Sequence, residues 1–184
     1  MSEEPATAQQ GAPDRDLLER LLVRMPPVVS LISAGLNRTR PGSPLRRRLI
    51  NLLVQRGFSA MARSDLGVVL LLYEPEVELR MRGMARVGVR DSYRGHEGVR
   101  ALYADFDDAF GDWRWTIRAV VDLGDRLAVQ ADFVGHGRSS GAETTLKNGG
   151  TAVRLSHQGR IVWQEWFVEN DGWTKALEAV GLSE

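Results

Sequence analysis

Tyr93-Arg94-Gly95-His96-Glu97-Gly98-Val99-Arg100-Ala101-Leu102-Tyr103 decides the fold, because an extended approach, a glycine-bracketed turn and a helix follow one another within a few residues. The helix reading rests on spacing. Val99, Leu102, Tyr103, Phe106 and Phe110 fall at i, i+3, i+4, i+7 and i+11, with Arg100, Asp105, Asp107 and Asp108 opposite, a stripe that packs on a sheet. Downstream, Trp113–Leu123, Leu127–Gly137, Thr144–Leu155 and Ile161–Glu169 read as extended segments divided by Gly124-Asp125, Ser139-Ser140-Gly141 and Gln158-Gly159, and Trp173–Leu182 closes the chain as a helix. Upstream, helical patterns dominate. This order predicts an α+β fold in which a curved, mixed or antiparallel sheet packs with N-terminal helices as a cone around a pocket.

The 184 residues suffice for one domain with a sizeable core. The chain contains no cysteine, which removes disulfides, thiolate nucleophiles and cysteine zinc sites and fits a cytoplasmic location. Residues 1–13 read as a disordered leader, 14–57 as a basic helical extension and 58–184 as the folded domain. Within the extension, Asp14–Met25 and Val28–Leu36 are apolar pieces closed by Pro26-Pro27 and Gly35, and Ser43-Pro44 opens a helix reaching about Arg63. Its apolar residues, Leu45, Leu49, Leu52 and Leu53 on one side and Ile50, Val54, Phe58 and Met61 around the other, call for burial on more than one side. Ser64-Asp65 restarts a helix that Glu74-Pro75 ends, and Val77, Leu79 and Met81 then alternate with charged residues as in a half-buried strand.

Net charge is formally zero, yet nine arginines and no acid lie between Arg20 and Ser64. With Arg46-Arg47-Arg48 beside an apolar helix face, this asymmetry fits a peripheral membrane contact; it fits better a basic layer lying on an acidic domain. No phosphate loop, nucleophile elbow or basic-aromatic RNA motif is present, so neither nucleotide chemistry nor a nucleic-acid partner is expected. Three scattered histidines without ligand spacing give no expectation of a metal.

Five phrases carry a resemblance: Leu72-Tyr73-Glu74-Pro75-Glu76-Val77-Glu78, Tyr93 to Arg100, Asp122-Leu123-Gly124-Asp125-Arg126, Gly159-Arg160-Ile161-Val162 and Ala176-Leu177-Glu178-Ala179-Val180-Gly181-Leu182. Over roughly Phe58–Leu182 the chain resembles the SnoaL-like polyketide cyclase family within the nuclear transport factor 2-like superfamily. That resemblance implies an α+β roll around an apolar pocket, commonly homodimeric, in a superfamily holding cyclases, isomerases, epoxide hydrolases and binding-only proteins. It implies cofactor-free acid/base isomerisation or cyclisation of a small apolar molecule, or non-catalytic ligand binding or protein interaction. The cyclases' His-Trp-Asp phrase on the last strand is replaced by Trp163-Gln164-Glu165-Trp166-Phe167, which argues against cyclase activity.

Glu165 is the substitute carboxylate, either an acid/base group between aromatics or the ion-pair partner of Arg154. Asp132 and His136 share a strand parity roughly 13 Å apart, so they either flank a substrate or form a solvent-facing pair. Tyr73, Tyr103, Phe106, Trp113, Trp163 and Phe167 are candidate ligand contacts with Arg154, and equally ordinary core. Because the last strand is apolar on both parities, a dimer partner is expected to cover its second face.

Overall fold

The computed structural model describes residues 39–182, so the expected leader and the two helices at 14–25 and 28–36 lie outside the described residues. Helix α1 (Pro44–Ala62) starts where its cap chemistry predicts. Ser43 Oγ accepts the Arg46 amide at 3.3 Å, and Pro44, which has no amide proton to satisfy, fills the first turn. The helix runs unbroken across the 57/58 boundary expected between extension and domain. Asp65 caps α2 (Leu66–Leu72), its Oδ1 accepting the Val68 amide at 3.3 Å.

The expected stop at Glu74-Pro75 comes earlier, because the chain is already extended at Tyr73 and Pro75 lies inside β1 (Tyr73–Arg82). Proline disfavours helix at the residue before it, and here it sits in the irregular stretch between Tyr73 and Glu78, where pairing with the neighbouring strand is interrupted. Beyond it Val77, Leu79 and Met81 are buried and the intervening charges exposed, as the alternation predicts. A short 3-10 turn (Ala85–Val87) leads to β2 (Ser92–Arg94) and α3 (Gly95–Ala109). Gly95 has φ +67°, and a Cβ there would stand 3.0 Å from the Pro75 carbonyl oxygen, so this turn requires glycine. Val99, Leu102, Tyr103 and Phe106 form the buried stripe of α3; Phe110, expected as its last member, is already extended and opens the next strand. Tyr93 ties β2 to that helix, donating to Asp105 at 2.6 Å and accepting the Arg90 amide at 2.9 Å.

The remaining elements are β3 (Phe110–Asp122), β4 (Arg126–Gly137), β5 (Glu143–Leu155), β6 (Ile161–Phe167) and α4 (Gly172–Ala179). They complete one open six-stranded sheet of order β2-β1-β6-β5-β4-β3, in which β1 and β6 run parallel and all other neighbours antiparallel. The fold is α+β. One face, the inner one, carries Val77, Leu79, Met81, Phe133 and Trp166 under the first three helices. The outer face carries Ala128, Ala152, Trp163 and Phe167 under α4.

Alpha helix α4 alters the reading of the last strand. Its residues Ala176 and Val180, with Trp173 and Leu177, cover the face for which a partner subunit was expected, so that apolar face supplies no argument for a dimer. The crossing is close: a Cβ on Gly150 of β5 would collide with the carbonyl of Gly172 at the start of α4. Burial of α1 on more than one side is found in part among the described residues, Leu49 and Leu53 packing on one side and Phe58 and Met61 on the other. Ile50 is buried, Leu53 and Val54 pack beside it, and Leu45 and Leu52 remain exposed.

Arg46 anchors the start of α1. Its side chain is 1% exposed, its Nε and one terminal nitrogen meet the two oxygens of Asp122 at 2.6 and 3.0 Å, and the same terminal nitrogen donates to the Gly124 carbonyl at 2.5 Å. A forked guanidinium facing a carboxylate is the geometry in which a buried ion pair holds best. The middle of the triple-arginine run aside, its first member is therefore withdrawn from any membrane contact; Arg47 and Arg48 are exposed. For this arginine the basic layer lies on an acidic partner within the chain.

Candidate functional site

Two openings lie between the inner face and its helices. The larger is a half-open cleft of about 100 Å³ roofed by α1, with Ile50, Val54 and Phe58 above, and Val129, Val153 and Ile161 among the residues of the floor. An engineered apolar cavity of ~150 Å³ takes up benzene, so this one encloses less than one aromatic ring and a larger occupant must protrude through the open side or displace α1. The second is a gap of about 10 Å³, the space of about one water, among Met81, Leu102, Tyr103, Phe106, Trp115 and Trp166. Met61 of α1 borders both.

The polar side chains of the cleft are few. Tyr73, Thr151 and Gln164 line it, all buried, and among the described residues neither a carboxylate nor a histidine lines it. The Tyr73 hydroxyl donates to Gln164 Oε1 at 2.7 Å, and burial raises the phenol well above its ordinary pKa, so it stays a protonated donor across the physiological range. The amide nitrogen of Gln164 and the hydroxyl of Thr151 have no hydrogen-bond partner among the described residues, and neither atom is sealed from solvent, so both open onto the cleft. Around the inner gap, the Tyr103 hydroxyl and the indole nitrogens of Trp115 and Trp166 are buried and also without a partner among the described residues. Burial raises the Tyr103 phenol too.

The candidate carboxylates lie elsewhere. Glu165 is buried but on the outer parity of β6; its Oε1 accepts Arg82 Nε at 2.6 Å. The expected partner Arg154 instead stacks over the Trp163 ring, 4.8 Å from its centroid. Asp132 and His136 also take the outer side, opposite Val129, Ala131 and Phe133 on β4. Asp132 receives Arg118 at 2.7 Å and the Asn148 amide at 3.1 Å. Partial burial alone raises its carboxyl, but those bonds and the nearby cations outweigh it and hold the group below the usual carboxylate range. His136 lies 2.6 Å from Asp112, whose hydrogen bond and charge raise its pKa. Of the two arrangements open to these residues, the structure has the outward, ion-paired one.

Among the candidate ligand contacts, Tyr73 lines the cleft and Tyr103, Phe106 and Trp113 the inner gap. Trp163, Phe167 and Arg154 belong to the outer face. The reason is one extra residue. Arg154 pairs with Trp163 and Leu155 with Ile161, so Val162 bulges out and the parity of β6 changes: Ile161 faces inward, then Gln164 and Trp166. Gln164 was missed for the same reason, and Thr151 because its face is set only by its pairing with Trp166. The phrase that pointed to Glu165 contained Gln164 beside it, and only the register of β5 on β6 separates the two.

A family model for the SnoaL-like domain matches residues 54–164, more than half the chain. The chain belongs to the SnoaL-like domain family. No curated protein matches this SnoaL-like chain. Among solved structures, it is similar to TerC crystallised with polyporic acid, at 20% identity and TM-score 0.57, covering 69% of this chain and 96% of that one. A nuclear transport factor 2-like protein of unknown function from Burkholderia pseudomallei K96243 shares 23% identity at TM-score 0.58, covering 71% and 94%. A Mycobacterium tuberculosis protein in complex with estradiol-17beta-hemisuccinate shares 17% identity at TM-score 0.55, covering 65% and 93%. At these identities the likeness is one of fold.

Proposed function

We propose that this SnoaL-like protein binds a small, mainly apolar molecule in the cleft beneath α1, without performing acid/base chemistry there. One observation carries the reading: the cleft is apolar apart from Tyr73, Thr151 and Gln164, and the three groups best suited to proton transfer, Glu165, Asp132 and His136, sit on the other side of the sheet in ion pairs. A general base must reach its substrate's proton, and a sheet's thickness prevents that. The bound organic molecules in two proteins of this fold are in keeping with such a role. Among the described residues no helix is long and apolar enough to cross a membrane.

The test is a titration with an apolar naphthalene probe followed by tryptophan fluorescence, in the native protein and in Val129→Phe, which fills the floor of the cleft. Saturable binding in the native protein, weakened at least about tenfold in a variant that keeps its thermal transition, supports the reading; a lost methylene's worth of fit alone is of that order. Binding that ignores Val129→Phe, or turnover of a ketone that ceases in Glu165→Gln, overturns it.

A further inference from the structure

We infer that Gln164 is the specificity-determining residue of the cleft and that its ligand carries a hydrogen-bond acceptor, a carbonyl, quinone or ester oxygen, on an otherwise apolar frame. This rests on the binding role proposed above and adds the ligand's chemistry. Gln164 is 4% exposed, on the floor of the cleft, and a primary amide offers two donors and one acceptor. The acceptor is occupied, since Oε1 takes the Tyr73 hydroxyl at 2.7 Å. Both donors on Nε2 are therefore left for the cleft, where no described residue receives them.

Tyr73 fixes which end of the amide is presented. A phenol kept protonated by burial donates its proton to the amide oxygen, and a rotated amide would leave that hydroxyl without an acceptor. Tyr73 is thus a positioning residue and Gln164 the contact. Thr151, 2% exposed on the neighbouring strand and also without a hydrogen-bond partner among the described residues, adds a hydroxyl that can donate to the same oxygen. An amide whose donors open onto the cleft favours a ligand that pairs with them and discriminates against one that strips their water without replacing it.

Two isosteric probes isolate this contact: 2-acetylnaphthalene, which has the oxygen, and 2-isopropylnaphthalene, which does not. The readout is the ratio of their affinities, because hydrophobicity and any general loosening of the fold act on both. In Gln164→Met the ratio should fall by up to about tenfold in favour of the hydrocarbon, the upper end of the net worth of one hydrogen bond. In Tyr73→Phe, where the amide is free to rotate, it should fall by a smaller factor of about three. If both probes bind the native protein and Gln164→Met leaves the ratio unchanged, the inference is wrong while the cleft stands. If Gln164→Met lowers the ratio and Tyr73→Phe does not, Tyr73 has no positioning role. If neither probe binds the native protein, the cleft is not a ligand site and both conclusions fall.

Discussion

The two faces of the sheet use the same strands for opposite purposes. The inner face holds aromatic and aliphatic side chains with a few hydrogen-bonding groups left unpaired, Gln164, Thr151, Tyr103, Trp115 and Trp166. The outer face holds paired charge, Glu165 with Arg82, Asp132 with Arg118 and His136 with Asp112, around an apolar strip closed by α4. Polar groups left without a protein partner on an apolar face cost free energy, whereas the outer ion pairs, each with a partner open to solvent, contribute little. The contrast teaches that charge alone does not mark the cleft: what distinguishes it are neutral groups without partners among the described residues.

The sharpest way to break this contrast is to loosen the roof of the inner side from the sheet. Arg46→Ala leaves Asp122, whose side chain is only 13% exposed, without its counter-charge and should cost about 3–5 kcal/mol, read as a drop in the urea midpoint together with loss of probe binding. A midpoint close to native would mean that α1 is held by its apolar contacts alone. Next in size, Gly150→Val pushes a side chain into the Gly172 carbonyl and should destabilise by about 3 kcal/mol through the outer face. Small ligand probes should still bind the folded fraction; selective loss of binding would show the two faces to be coupled.

Glu165→Gln should cost less than ~1 kcal/mol, because Arg82 is over half exposed and solvent screens the pair, and it should leave probe affinity unchanged. A tenfold loss of affinity would return Glu165 to the site. The smallest effect is that of Asp132→Asn, about 0.5 kcal/mol at neutral pH. The native carboxyl is held below its unfolded value, so its contribution is fully present above pH ~4 and disappears as pH falls through the folded value. The stability difference between native and variant should accordingly shrink on acidification, as urea melts across that range would record; a gap that widens contradicts the ion-paired assignment.

Local signals reached far into the architecture. The alternation of Val77, Leu79 and Met81, the stripe from Val99 to Phe106 and the Ser43-Pro44 cap are read within a few residues, and each element stands where its pattern places it. The parity of β4 likewise put Asp132 and His136 on one side together. What stayed illegible depends on distant partners. No local pattern tells that Asp122 receives Arg46, that Arg82 and not Arg154 meets Glu165, or that Val162 bulges and turns Gln164 inward. These are matters of strand register and pairing across most of the chain. The apolar second face of β6 was visible, but its cover was sought in another subunit when the chain's own last helix supplies it.

The parallel pairing of β1 with β6 also sets an order of assembly. Strands β3 to β6 form successive antiparallel neighbours linked by short turns, so they can zip locally, while β1 must wait for the last strand before it finds its place. The Tyr73–Gln164 hydrogen bond spans that seam. If the cleft binds as proposed, ligand competence should be acquired late in refolding, after most of the sheet exists, and a bound molecule should act as a clasp that slows the peeling of the first strand from the last.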